Sequence, residues 1–106
     1  MNTGLQIGKK SNTMNKRTEE AMGILQEECA EVIVEVSKCR RFGIDTNHYK
    51  TGQAHKTMLE NEIGDVLALV DILLEEGIIT ESGLVKAKQA KKDKLAVWSN
   101  LYDDRV

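Results

Sequence analysis

Between Lys16 and Phe42, apolar residues return every three or four positions. At about 100° per residue, Ala21, Met22, Leu25, Cys29, Val32, Ile33 and Val36 fall on one arc, the pattern of an amphipathic helix. Gly43 supplies the stop, because glycine tolerates the left-handed backbone that ends many helices. A second helix is predicted from about Lys56 to Glu76, closed by Gly77. Here Leu59, Ile63, Val66, Leu67, Leu69, Val70, Ile72 and Leu73 cover most of the circumference. Glu60, Gly64, Asp71 and Glu75 share the remaining polar side. A third helix runs from about Glu81 to Asn100, with Thr80 or Ser82 able to cap it. Leu84, Ala87, Ala90, Leu95, Val97, Trp98 and Leu101 form its apolar arc. Between the first two helices lies "GIDTNHYKTGQAH", long for a connection in a compact domain and therefore a candidate for function.

The pattern predicts an all-α chain of three main helices. A helix that is apolar nearly all round must be covered on several sides. Three helices do that poorly alone, so a homodimer or homotetramer completing a four-helix-type bundle is expected. The absence of proline and the 4% aromatic content suit helices and argue against a sandwich or barrel. At 106 residues the chain reads as a flexible segment, 1–15, followed by one helical domain, 16–106.

A net charge of −2, with no basic run longer than two, gives no electrostatic basis for a nucleic-acid surface. No apolar run approaches the ~20 residues that span a bilayer. "MNTGLQIGKKSNT" has no apolar core of a signal peptide. Cys29 and Cys39 sit ten residues apart on one helix, about 15 Å, too far to bridge each other. A reducing, cytoplasmic setting is the expectation.

The chemistry begins with two misplaced charges. Glu62 falls between Leu69 and Leu73 on the helix projection, and Asp65 between Ile72 and Leu69. An uncompensated buried carboxylate costs on the order of several kcal/mol. Basic partners, protonation or a metal must compensate these two. The first helix carries Glu27-Glu28-Cys29-Ala30-Glu31, with Glu28, Glu31 and Glu35 at one border of its apolar arc. Side chains at i and i+3 point the same way. If the two helices pack antiparallel, Glu28, Glu31, Glu62 and Asp65 converge, and four such charges need a cation. Zinc prefers Cys or His ligands, and a di-iron bundle uses Glu-x-x-His. The only histidines, His48 and His55, lie in or beside the loop. An all-oxygen set selects Mg²⁺, with Mn²⁺ as a substitute. Mg²⁺ commonly shares its sphere with substrate phosphates. Lys91 and Lys94 project into the third helix's apolar arc, where they are either snorkelling stems or phosphate ligands. Either acidic motif alone is ordinarily a solvated helix face. Their placement within or beside apolar arcs is what favours a metal.

"LQEECAEVIVEVSKCRRFG" followed by "LENEIGDVLALVDILLEEG" resembles the all-α nucleoside triphosphate pyrophosphohydrolases of the MazG type, relatives of the dimeric dUTPases and dCTP pyrophosphatases. The resemblance covers about residues 16–102, including "KLAVWSNLY". It implies Mg²⁺-dependent hydrolysis of a (deoxy)nucleoside triphosphate to monophosphate and pyrophosphate, by water attack at the α-phosphorus. The metal carboxylates would be Glu28, Glu31, Glu62 and Asp65. Glu27 or Glu28 would orient or deprotonate the water. Lys94, with Lys91 as a second candidate, would bind substrate phosphate. The family often has an arginine one turn beyond that lysine, where this chain has Trp98. The spacer between its acidic motifs is also towards the long end for the family. Two alternatives accompany this reading: a phosphoribosyl-ATP-type pyrophosphohydrolase on a related fold, and a non-enzymatic helical assembly module. A P-loop in "GLQIGKKS" fails on spacing, with three residues between its glycines instead of four.

Overall fold

A computed structural model describes residues 14–103. It contains three helices, α1 (Lys16–Phe42), α2 (His55–Glu75) and α3 (Glu81–Trp98). No strand occurs among the described residues; one isolated antiparallel bridge joins Asn47 and Ala54. The all-α expectation holds, with element ends within two residues of those predicted. Segment 1–13 of the predicted flexible stretch lies outside the described residues.

Asn15 starts α1: its side-chain oxygen accepts from the Thr18 N–H at 2.8 Å, satisfying a donor that the first turn leaves unpaired. Gly43 ends it at φ 98°, its N–H donating to the Cys39 carbonyl. Arg40 and Arg41 occupy the last turn, where a helix favours cations.

The chain divides into two compact units between Leu73 and Leu74. In the first, α1 and α2 run antiparallel. Phe42, the last residue of α1, stacks on His55, the first of α2. Glu28, further back on α1, meets Glu62 and Asp65, further along α2. Near the opposite end, Ala21 and Ile24 border one small pocket with Leu69 and Ile72. Ala21, Cys39, Leu69 and Leu73 are buried apolar side chains of this helix pair.

The connecting segment is ordered by its own backbone. His48 N–H donates to the Gln53 carbonyl and Gly52 N–H to the His48 carbonyl. Gly52 takes φ 76°, a left-handed turn position. The carbonyls of Thr46 and Ile44 then accept from the N–H groups of His55 and Lys56. Thus the loop's main chain satisfies the first donors of α2. An exposed Lys56–Asp45 ion pair at 2.8 Å lies beside this junction.

In the second unit, Thr80 caps α3 by accepting from Gly83 N–H at 3.0 Å, the first of the two predicted caps. None of α3's residues is buried. Trp98, expected in a core from its place on the apolar arc, is 83% exposed. On α2, only His55, Leu69 and Leu73 are buried, while Ile63 and Leu67 are open. The helix is apolar on many sides, and this chain covers only part of it.

Candidate functional site

On α1, Glu28, Glu31, Glu35, Lys38 and Phe42 fall within about 80° of arc and extend roughly 21 Å along the axis. On α2, His55, Glu62 and Asp65 share a similar stripe. The contacts named above set the two stripes face to face. A seam results, acidic at one end and aromatic at the other.

At the acidic end, one carboxylate oxygen each from Glu28, Glu62 and Asp65 lie within 4.8 Å of one another. Glu28 and Glu62 are half-buried, and Asp65 is exposed. Three of the four predicted ligands therefore converge. Glu31 is exposed and stands outside the triad, although close enough for its charge to act on Glu62. Glu27 is also exposed and outside it, a further 100° round the helix from Glu28.

Glu62 carries the strain of this arrangement. Its carboxyl is held above the usual glutamate range, first by burial. The neighbouring Glu28 carboxyl adds to this, as do the charges of Asp65 and Glu31. One of its oxygens, Oε1, is buried without a hydrogen-bond partner. Among the described residues, Lys38 pairs with Glu35 and Lys56 with Asp45, and neither lysine pairs with this triad. Three carboxylate oxygens this close could hold a metal ion, as exposed acidic groups often could. The donor set is all oxygen, without His or Cys, and fits Mg²⁺ or Mn²⁺ by its hardness.

Midway along the seam lies a residue whose importance sequence reasoning missed. Glu35 is only 5% exposed. Its Oε2 pairs with Lys38 Nζ at 3.5 Å, and its Oε1 has no hydrogen-bond partner. The seven-residue step from Glu28 to Glu35, two helical turns, was the available signal.

At the other end, a pocket of about 520 Å³ is lined by Lys38, Phe42, Thr46, His48, Tyr49 and His55, among others. The rings of Phe42 and His55 stack at 5.5 Å, and His48 meets His55 edge-on at 6.0 Å. Buried His55 has an Nδ1 without a partner. The buried unpartnered side-chain atoms among the described residues are thus Glu35 Oε1, His55 Nδ1 and Glu62 Oε1, and all belong to the seam. Native interiors rarely leave such atoms unpaired, so each calls for a water, an ion or a ligand as its partner.

Lys91 and Lys94 are exposed on α3, in the second unit. No helix among the described residues is long and apolar enough to cross a membrane. Compared with known proteins, the chain matches no family model, no curated protein and no solved structure.

Proposed function

We propose that this chain is a Mg²⁺-dependent nucleoside triphosphate pyrophosphohydrolase, releasing a nucleoside monophosphate and pyrophosphate from a (deoxy)nucleoside triphosphate. The observation that carries the reading is Glu62: a carboxyl in an apolar helix, grouped with Glu28 and Asp65, with one shielded oxygen unpartnered. Bound by these three carboxylates, with Glu31 able to join from the next turn, Mg²⁺ or Mn²⁺ would supply charge neutralisation for the triphosphate.

The chain's own groups would do the rest. Glu28, a half-buried member of the triad, or exposed Glu27 would orient the attacking water and take its proton. Lys94, with Lys91, would neutralise phosphate oxygens. Those two roles rest on the resemblance of the sequence, since α3 belongs to the other unit. The apolar side chains left open, Ile33 at 70% and Leu67 at 57% exposure among them, favour a homo-oligomer in which a second copy covers them. The same exposure favours the rival reading, an assembly module without catalysis.

Product analysis separates the two. Each common nucleoside triphosphate and deoxynucleoside triphosphate is incubated with the protein in Mg²⁺ and in EDTA, and products are resolved by ion exchange. Monophosphate plus pyrophosphate, lost in EDTA and in Glu62→Gln, is the expected result. Diphosphate plus phosphate would overturn attack at the α-phosphorus. No turnover of any nucleotide would favour the module.

A further inference from the structure

The loop-end pocket is not needed to hold a metal, and its chemistry differs from that of the triad. We infer that it receives the planar base of the nucleotide, with Phe42, His48, Tyr49 and His55 as the residues that select it. This rests on the proposed triphosphate substrate for the word nucleotide; the ring-binding geometry stands independently.

The first observation is the unsatisfied imidazole. His55 is only 4% exposed, lines the pocket, and has an Nδ1 with no partner. A buried ring nitrogen of this kind can donate or accept one in-plane hydrogen bond. A heteroaromatic base offers complementary N–H groups, carbonyls and ring nitrogens at its edge.

The second observation is the aromatic surround. Phe42 lies on His55 at 26° between planes, which fixes the His55 ring. Tyr49 stacks on His48 at 4.9 Å, yet Tyr49 is 86% exposed. An exposed ring beside a pocket is poised to cover a flat ligand, and base–aromatic stacking is tolerant of sequence but needs a flat partner. Aliphatic or purely anionic ligands make no use of these faces.

The third observation is rigidity. His48 Nδ1 accepts from the Lys50 N–H at 3.0 Å and from the Thr51 N–H at 3.4 Å. Neutral His48 consequently carries its proton on Nε2, leaving a donor of fixed orientation. Thr46 Oγ1 donates back to the carbonyls of Phe42 and Gly43. The loop is built before any ligand arrives, which lowers the ordering cost of binding.

Position supplies the link to the proposed reaction. Glu31 and Lys38 are two turns apart on one stripe of α1, about 10 Å. That separation suits a base at Lys38 and phosphates at the acidic end. Glu35 lies between them along α1, buried, with one oxygen unpartnered.

The test uses nucleosides, which carry the base and no phosphate. The full chain, with labelled imidazoles, is titrated in EDTA with each common nucleoside and with ribose 5-phosphate, and the His48 and His55 signals are followed by NMR. Expected are saturable shifts of both imidazoles by nucleosides, differing between bases, and none with ribose 5-phosphate. Tyr49→Ala, a surface change, should weaken nucleoside binding about tenfold. His55→Asn should do likewise, with its amide spectrum confirming the fold. Nucleoside binding that leaves His48 and His55 unmoved would overturn the inference. So would hydrolysis of triphosphates by a protein whose imidazoles no nucleoside shifts, and in that case the reaction would stand without this pocket. Shifted imidazoles without hydrolysis would keep the base site and remove the proposed reaction.

Discussion

Glu28 on α1 and Glu62 on α2 bring one carboxylate oxygen each to within 4.8 Å of the other across an antiparallel helix pair, with Asp65 alongside. Burial of Glu62 and the carboxylates beside it favour a proton on Glu62, so the helix pair and that proton are thermodynamically linked. Glu62 releases its proton at the ordinary glutamate pKa when unfolded, and at a higher pH when folded. In the interval between, the folded state binds more protons. Metal-free stability is therefore greatest below the ordinary glutamate value and falls as pH rises through the folded pKa. Urea unfolding in EDTA across this interval checks the slope, and Glu62→Gln should flatten it. A slope unchanged by that substitution would remove Glu62 as its source.

Divalent ions should reverse the penalty. At a hundredfold excess over Kd, Mg²⁺ is expected to stabilise the fold by about 2.7 kcal/mol. Asp65→Asn should reduce the shift in Tm, and Glu62→Ala should abolish it while leaving the metal-free protein no less stable. A Tm indifferent to Mg²⁺ and Mn²⁺ would exclude the triad as a metal site.

Glu35 is expected to separate stability from function. Its replacement by Leu removes a shielded, half-satisfied carboxylate and frees Lys38, which can reach solvent. The ligand-free fold should gain on the order of 1 kcal/mol. Triphosphate turnover should fall at the same time. Denaturant midpoints and initial rates measured on the same preparation check both, and full activity in the variant would confine Glu35 to a structural role.

Gly43 and Gly52 both have positive φ, but their surroundings differ. A Cβ at Gly43 would stand 2.9 Å from Thr46 Oγ1, whereas one at Gly52 meets nothing within 4 Å. Gly43→Ala should cost about 1–3 kcal/mol. Gly52→Ala should cost less, and Gly52→Asn less again, because Asn tolerates the left-handed region. Equal midpoints for the two alanine variants would contradict this ranking.

If a second copy covers the open apolar faces, sedimentation should show an oligomer at micromolar concentration. Leu67→Glu, at an exposed position on α2, should shift that species towards monomer while retaining helical circular dichroism. A chain that sediments as a monomer at every concentration would leave the open faces to some other partner.

The helices were legible because their signals are local. Apolar spacing located α1 and α2, and Thr80 and Gly43 marked ends that hydrogen bonding explains. The acidic triad was legible because carboxylates on an apolar helix are costly wherever they occur. Glu31 shows the limit of that reasoning: i and i+3 share a face, but side-chain direction and the partner helix decide which oxygens meet. The buried state of His55 had no sequence signal. It depends on carbonyls at Ile44 and Thr46 and on a ring contributed by Phe42, in a segment with no periodicity to read.

The loop between α1 and α2 is held mainly by its backbone, through the bonds of His48, Gly52, His55 and Lys56. Gly43, Thr46, His48, Thr51 and Gly52 contribute to its shape through their conformations or side chains. Exposed Tyr49 contributes no side-chain bond to that scaffold, and it stands at the mouth of the pocket. Tyr49 is thus a selecting residue on which the scaffold's hydrogen bonds do not depend. The loop tip behaves as an exchangeable fitting: a library varied at Tyr49 should return folded proteins throughout, altered in what they select and not in how they fold.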